Sequence, residues 1–351
     1  MSDAGPTPRS LARRATLALL AATPFAAPFA GVALAESALA EAPSLLVAGP
    51  PGGRMDRWAR ALTAAFSPVL PAGTRLQPST VGGEDGVTGA NQFATRVTPD
   101  GNTLLLAPGD AALAWLVGDP RARFDVAKWL GVVAGIAPAV VCGRIAASRP
   151  GEKIRVGLSG PVGPDLASLL GLELAGLAAT PVFGVLDQIA AIQALASRAV
   201  DAVLLRGGAV TANLGPLAQV GVAPLFTLGA TGGDGRDALL PEVPNLVEFA
   251  QARGATPAAA LLGGWRGVAA AAQVEYALVL PQLTPAALVA LWRQAGSLAA
   301  ASPLLHDATD RTSSVGGPAA HPLTQALAPD VPAITELRAW LTTRLGWRPP
   351  G

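Results

Sequence analysis

The chain has 351 residues, 51% of them hydrophobic and 14% charged, which is enough apolar matter for a large core and excludes a disordered chain. Its 25 Lys and Arg nearly cancel 24 Asp and Glu, leaving a formal charge of +1 and no basic field to hold a nucleic-acid backbone. One cysteine and two histidines exclude an internal disulfide and any cysteine-based zinc site, and leave few ligands for a transition metal.

At the N-terminus, Arg9, Arg13 and Arg14 precede an apolar run from Leu17 through Val32, which ends in small-residue sites at Ala33-Leu34-Ala35 and Ala38-Leu39-Ala40. Residues 1–40 read as a removable signal peptide cut near 35 or 40, by the Sec or the twin-arginine route. Pro24 and Pro28 interrupt the run and argue against a spanning helix.

From Ser44 onward, short apolar runs alternate with amphipathic stretches. SLLVAG reads as a strand and MDRWARALTAAF as a helix after a Gly-Pro turn; TRLQPST, the Gly-rich VGGEDGVTG, ANQFATRV and TLLLAPG continue as strand, loop, helix and strand. A second series begins near Ala137 with PAVVCG, IRVGLSG, PDLASLLGLELAGL, TPVFGV, DQIAAIQALASRA and VDAVLLRGG, again strand and helix in alternation. The tail segments TPAALVALWRQAGSLAAA and AITELRAWLTTRL have helical spacing. Such alternation predicts an α/β layer fold with largely parallel sheets, in two domains.

Ligands in open α/β sheets sit beyond the carboxyl ends of strands, where helix N-termini and backbone N–H groups carry positive partial charge. Three junctions fit. Residues 47–60 hold Gly52, Gly53 and Asp56, the last as ligand neighbour or helix cap. Residues 81–90 hold Gly83, Gly86 and Gly89, and residues 157–167 form the matching junction of the second series. None is a phosphate-binding P-loop, because the Gly-Lys-Ser/Thr ending is absent. Cys142, in the apolar run AVVCG, reads as a buried thiol, and His306 and His321 as surface groups, His321 in a Pro-flanked loop.

Taken together and in this order, LLVAGPPGGRMDRWAR, GEDGVTGANQFATRVTPDGNTLLLA, RAVDAVLL, LLPEVPNLVEFA and GGWRGVAA resemble the solute receptors of tripartite tricarboxylate transporters, the Bug family of periplasmic proteins, over almost the whole mature chain. The resemblance implies a type 2 periplasmic binding protein fold: two α/β lobes with a ligand cleft between them, residues 41–135 plus 262–351 forming lobe 1 and 136–261 lobe 2. It further implies a periplasmic monomer that takes a small organic anion, a mono- or dicarboxylate or an amino acid, and hands it to membrane permease subunits, with no cofactor, no nucleic acid and no catalysis. Pro51, Gly52, Gly53, Arg54 and Asp56 match the family's first ligand loop, Gly83 and Gly86 its second, and Ser159, Gly160 and Gly163 the loop of the second lobe. GGWRGVAA matches a strand of the family; Trp265 within it reads as core, hinge or cleft, and LPEVPNLVEFA as a structural turn and helix.

The chain also departs from the family. Ala107-Pro108-Gly109-Asp110 stands where relatives carry small or hydroxylated residues, so Gly109 and Asp110 bring a carboxylate to the site, and Glu84 and Asp85 replace small residues. Leu205 and Arg206 stand in place of an Asp-Asn pair; Arg206 either clamps a second ligand carboxylate or turns to solvent or a local acid. CGRIAASRPGEKIRV reads as a connection lacking the family's helix. Two other classes compete: a secreted hydrolase-like enzyme, for which no Gly-x-Ser-x-Gly motif is present, and a sensor or assembly protein that kept the fold.

Overall fold

Leu45 and Val47 leave one face of the first strand and Leu46 and Ala48 the other, and all four are buried. Alternate side chains emerge on opposite faces, so a continuous apolar run needs cover on both sides. In the computed structural model, which describes residues 39–144, 153–229, 235–306 and 311–348, that cover is present. Strand β1 (Ser44–Ala48) lies between β2 (Gln77–Val81) and β3 (Thr103–Ala107), parallel to both. Helix α1 (Arg54–Phe66) packs Met55, Ala59, Leu62 and Phe66 on one face; α2 (Val87–Arg96) packs Val87, Ala90 and Phe93 on the other. The expected signal peptide falls outside the described residues up to residue 38, as does the centre of the expected helix-free connection, residues 145–152.

The first sheet is completed by β4 (Trp129–Ile136), β10 (Val274–Pro281) and β11 (Ser313–Gly316), in the order β11-β4-β10-β3-β1-β2. The second contains β5 (Ala139–Gly143), β6 (Ile154–Leu158), β7 (Ala179–Phe183), β8 (Ala202–Arg206) and β9 (Ala223–Thr227), in the order β7-β6-β8-β5-β9. The arrangement repeats: three parallel strands, then an antiparallel strand that has just crossed from the other sheet, β10 or β5, then two more strands in the first sheet and one in the second. Both sheets are therefore mixed, not largely parallel as the alternation suggests. The reason is topological, since each crossing strand enters at the edge where its neighbours end. Ala139, at the start of β5, pairs with Arg206 at the end of β8, and Ala277, the first residue of β10 to pair with β3, meets Ala107 at the end of β3.

The remaining helices are α3 (Gly109–Leu116), α4 (Leu166–Leu174), α5 (Gln188–Ala196), α6 (Gly208–Gln219), α7 (Leu246–Ala252), α8 (Ala259–Gln273), α9 (Ala286–Ala300), α10 (Ala320–Ala326) and α11 (Val331–Leu345). GGWRGVAA, matched to a strand above, lies inside α8. Alanine favours helix, and glycines 263, 264 and 267 let the helix back closely onto Ala333, Leu337 and Pro329. Through Val268, Ala269 and Trp265 of α8, one apolar core runs from the first sheet to α4 and the second. Among the described residues, no helix is long and apolar enough to cross a membrane.

Candidate functional site

The loop after β1 turns into α1 at Gly53, whose N–H donates to Pro50 O at 3.1 Å, while Pro51 and Gly52 are exposed. Gly52 N–H donates to the Asp56 carboxylate at 2.8 Å, and Arg60 pairs with the same oxygen. Those two partners, Gly52 first, hold the Asp56 carboxyl below its usual range. Asp56 thus ties the turn to the helix. In the loop after β2, Gly83 O accepts Gly86 N–H at 3.1 Å, and Gly86 adopts φ +71°, which side chains rarely tolerate. A Cβ at Gly86 would stand 2.5 Å from Pro108 Cδ, so this loop rests on the one after β3. Asp85 accepts Val87 N–H at 3.2 Å and pairs with Arg121 at 2.9 Å; Glu84 is exposed. After β3, Gly109 opens α3 against the crossing helix: a Cβ there would meet Ala271 O at 2.1 Å.

These turns set Arg54, the first residue of α1, opposite Asp110 in the first turn of α3. Arg54 Nη2 donates to Asp110 Oδ2 at 2.8 Å, and Nη1 donates to Glu275 Oε2 at 3.1 Å. Arg206, ending β8 of the other sheet, donates from Nη2 to Glu275 Oε1 at 3.3 Å. Glu275 thus offers one oxygen to an arginine of each sheet. The topology explains the meeting: Glu275 is the second residue of β10, which enters the first sheet where β3 ends, and Arg206 lies where β5 enters the second. Burial opposes the charge on Arg54, but Asp110 and Glu275 more than offset it, and the guanidinium is held above its ordinary range. The side chains of Glu275 and Arg206 are only 13% and 16% exposed, so the pair is largely shielded from solvent screening.

Arg206 also lines a cavity of about 240 Å³ at the carboxyl edge of the second sheet, with Ser159, Asp165, Asp187 and Gln188. Ser159 N–H donates to Asp165, Gly163 packs against both, and Gly163 O accepts Leu166 N–H at 3.0 Å to begin α4; Gly160 is half-buried in the same turn. Burial pushes the Asp165 carboxyl up, against the pull of Ser159 and the Arg206 charge. Gln188 Oε1 accepts the backbone N–H of Arg206 at 2.8 Å, which pins the end of β8 beneath the guanidinium. Among the described residues, no group of three or more His, Cys, Asp or Glu could hold a metal ion.

The structure therefore brings Arg54, Asp110 and Arg206 together, stacks Gly86 on the loop of Gly109, and gathers Ser159, Gly160 and Gly163 at the second sheet's edge. Asp56 and Asp85 are engaged by their own loops and by Arg60 and Arg121. Glu275 has no place in the sequence reading, although its signal was present: VEYALVLP is an apolar strand with a carboxylate as its second residue. Trp265 is fully buried and donates to Ala167 O at 2.9 Å, joining α8 to α4 rather than lining the cleft. LPEVPNLVEFA ends in a capping box of Asn245 and Glu248. His321 lies in the first turn of α10, not in a loop. A larger hollow of about 530 Å³, lined by Phe93, Trp129 and Pro281, sits at the opposite edge of the first sheet, away from the arginines.

No protein-family model matches the chain, and no curated protein matches it. Among solved structures, a TctC solute-binding protein from Polaromonas, without ligand, aligns with TM-score 0.64 and 18% identity over 86% of this chain and 98% of its own. MatC from Rhodopseudomonas palustris with bound malate aligns with TM-score 0.48 and 19% identity, over 86% and 98% of the two chains. An R. palustris protein solved with adipate aligns with TM-score 0.47 and 18% identity, over 87% and 97%. The shared architecture over nearly the whole length of the Polaromonas protein gives this chain, with its two mixed sheets, the α/β fold of the type 2 periplasmic binding proteins.

Proposed function

We propose that the chain is a periplasmic solute receptor that binds a small organic carboxylate and presents it to the permease subunits of a tripartite tricarboxylate-type transporter. The observation that carries this reading is the convergence of Arg54 and Arg206, from opposite sheets, on a single carboxylate in the cleft. That carboxylate is Glu275, and the bridge it makes joins the two sheets at the edge where a ligand would sit. The N-termini of α1, α2 and α3 add backbone N–H groups at the same edge, where a ligand carboxylate would sit. In this reading residues 41–135 with 262–351 form one lobe and 136–261 the other, Pro51, Gly52, Gly53, Gly83, Gly86 and Gly109 shape the first lobe's ligand surface, and Ser159, Gly160 and Gly163 that of the second. Export by the signal peptide and action as a monomer belong to the same proposal. Cys142 supplies no nucleophile for the hydrolase reading: it is fully buried in β5, and burial pushes its thiol up to about 12.

The test is a thermal-shift screen of the mature protein against mono-, di- and tricarboxylates and amino acids. A ligand at a hundred times its Kd adds about 2.7 kcal/mol of stability by mass action. With roughly 2–4 °C per kcal/mol for a chain of this size, the melting point should rise by several degrees. If no carboxylate raises it and an ester or amide is turned over instead, the receptor reading fails.

A further inference from the structure

Three guanidinium nitrogens of Arg54 and Arg206 already have a carboxylate of the protein as partner, while Arg206 Nε is buried without one. Glu275 gives Oε1 to Arg206 at 3.3 Å and Oε2 to Arg54 at 3.1 Å, and the remaining Nη of Arg54 is taken by Asp110 at 2.8 Å. Two guanidinium charges thus face the carboxylates of Glu275 and Asp110, and Asp165 lies beside Arg206 in the adjoining cavity. We propose that Glu275 is the specificity-determining residue of this receptor: it stands in the position between the two lobes that the second carboxylate of a diacid would take, so the site accepts ligands with one carboxylate and rejects dicarboxylates. This rests on the receptor reading above and names the ligand class of that same site.

The physical argument is a comparison of two bound states. A monocarboxylate held by the N-termini of α1 to α3 leaves the Arg54–Glu275–Arg206 bridge intact, with every charge of the bridge paired. A dicarboxylate reaching toward Arg206 must either displace Glu275, leaving that carboxylate shielded and short of partners, or lie beside it as a like charge. Either outcome costs free energy that the monocarboxylate avoids, and specificity arises from that repulsive element as much as from attraction. Glu275 is 13% exposed and cannot swing freely into solvent to give way. A cationic amino group at the far end of the ligand would face Asp165 and Glu275 and suits the site; a second anionic group does not.

The experiment is calorimetric titration of the wild type and of Glu275→Gln with butyrate, 4-aminobutyrate and succinate, after a thermal-shift screen of mono- and dicarboxylates of two to eight carbons has fixed the best length. The wild type should bind the best monocarboxylate, aminated or not, at least about tenfold more tightly than the diacid of equal length, the range expected for an uncompensated shielded charge. Glu275→Gln, which keeps the shape and removes the charge, should erase or invert that ratio. A wild type that prefers the diacid, or a variant with an unchanged ratio, overturns the role of Glu275 while leaving the receptor intact. If no carboxylate binds either protein, the receptor reading falls and this inference with it. Should Glu275→Gln fail to fold, Glu275→Ala carries the same reading of the ratio.

Discussion

Replacing Gly86 by alanine tests whether the loops after β2 and β3 are locked together. Gly86 sits at φ +71°, and a Cβ there would stand 2.5 Å from Cδ and 2.8 Å from Cγ of Pro108, and 3.3 Å from Ala111 Cβ. Gly52 provides the control within the same chain: φ is +75°, yet nothing lies within 4 Å of the added carbon. Gly52→Ala should therefore cost only the left-handed backbone term, about 1–2 kcal/mol. Gly86→Ala adds the collision with a proline ring that cannot rotate away, a further 1–3 kcal/mol or so. The double difference isolates the packing of one loop on the other. Urea unfolding of both variants measures it, with the slope compared to confirm that the same surface is exposed. Because Pro108 immediately precedes Gly109 and Asp110, the proposed receptor role adds that Gly86→Ala should weaken carboxylate binding, whereas Gly52→Ala should not move Asp110. Equal stability of the two variants, within about 0.5 kcal/mol, would refute the stacking of these loops.

Two further predictions concern the second sheet. Cys142 is fully buried, with its thiol pushed up to about 12, so native protein at pH 8 should resist a thiol reagent and label at one site per chain only in denaturant; rapid native labelling would contradict the burial. Asp201 accepts the backbone N–H, Nε and Nη2 of Arg155 at 2.9, 2.9 and 2.8 Å, tying the starts of β6 and β8, and these bonds hold its carboxyl below the usual range. A lowered folded pKa gives stability that is present above the unfolded pKa and lost as pH falls through the folded one. Asp201→Asn should thus cost about 1 kcal/mol at pH 7, modest because Arg155 is 46% exposed, and the gap to wild type should close on acidification. A gap that stays constant down through the carboxyl range would exclude the charged pair as its source.

The strands and helices flanking the cleft were legible because their patterns are local. The runs around Leu45, Leu105 and Val203 are apolar over four successive residues, as strands covered on both faces must be, and the helix from Arg54 keeps Met55, Ala59, Leu62 and Phe66 on one side. The glycine-rich turns at 52–53, 82–86 and 160–163 were equally visible, since a backbone that bends sharply must be written in glycine and proline. The segment around Trp265 was harder: short apolar runs suit strand or helix, and only packing against α4 and α11 made it a helix.

By itself, then, the sequence determined the alternation of elements, the three junctions with Arg54 at the first, and the charges Asp110 and Arg206 at the ends of two further strands, because each depends on residues within a few positions of one another. Only the tertiary structure decided the partner those charges share. Glu275 lies 221 residues from Arg54 and 69 from Arg206, and the three meet because each sheet receives a crossing strand at the edge where its parallel strands end. Contacts made by chain crossings leave no periodicity in the sequence, and the meeting of Glu275 with both arginines could be read only once both sheets were in place.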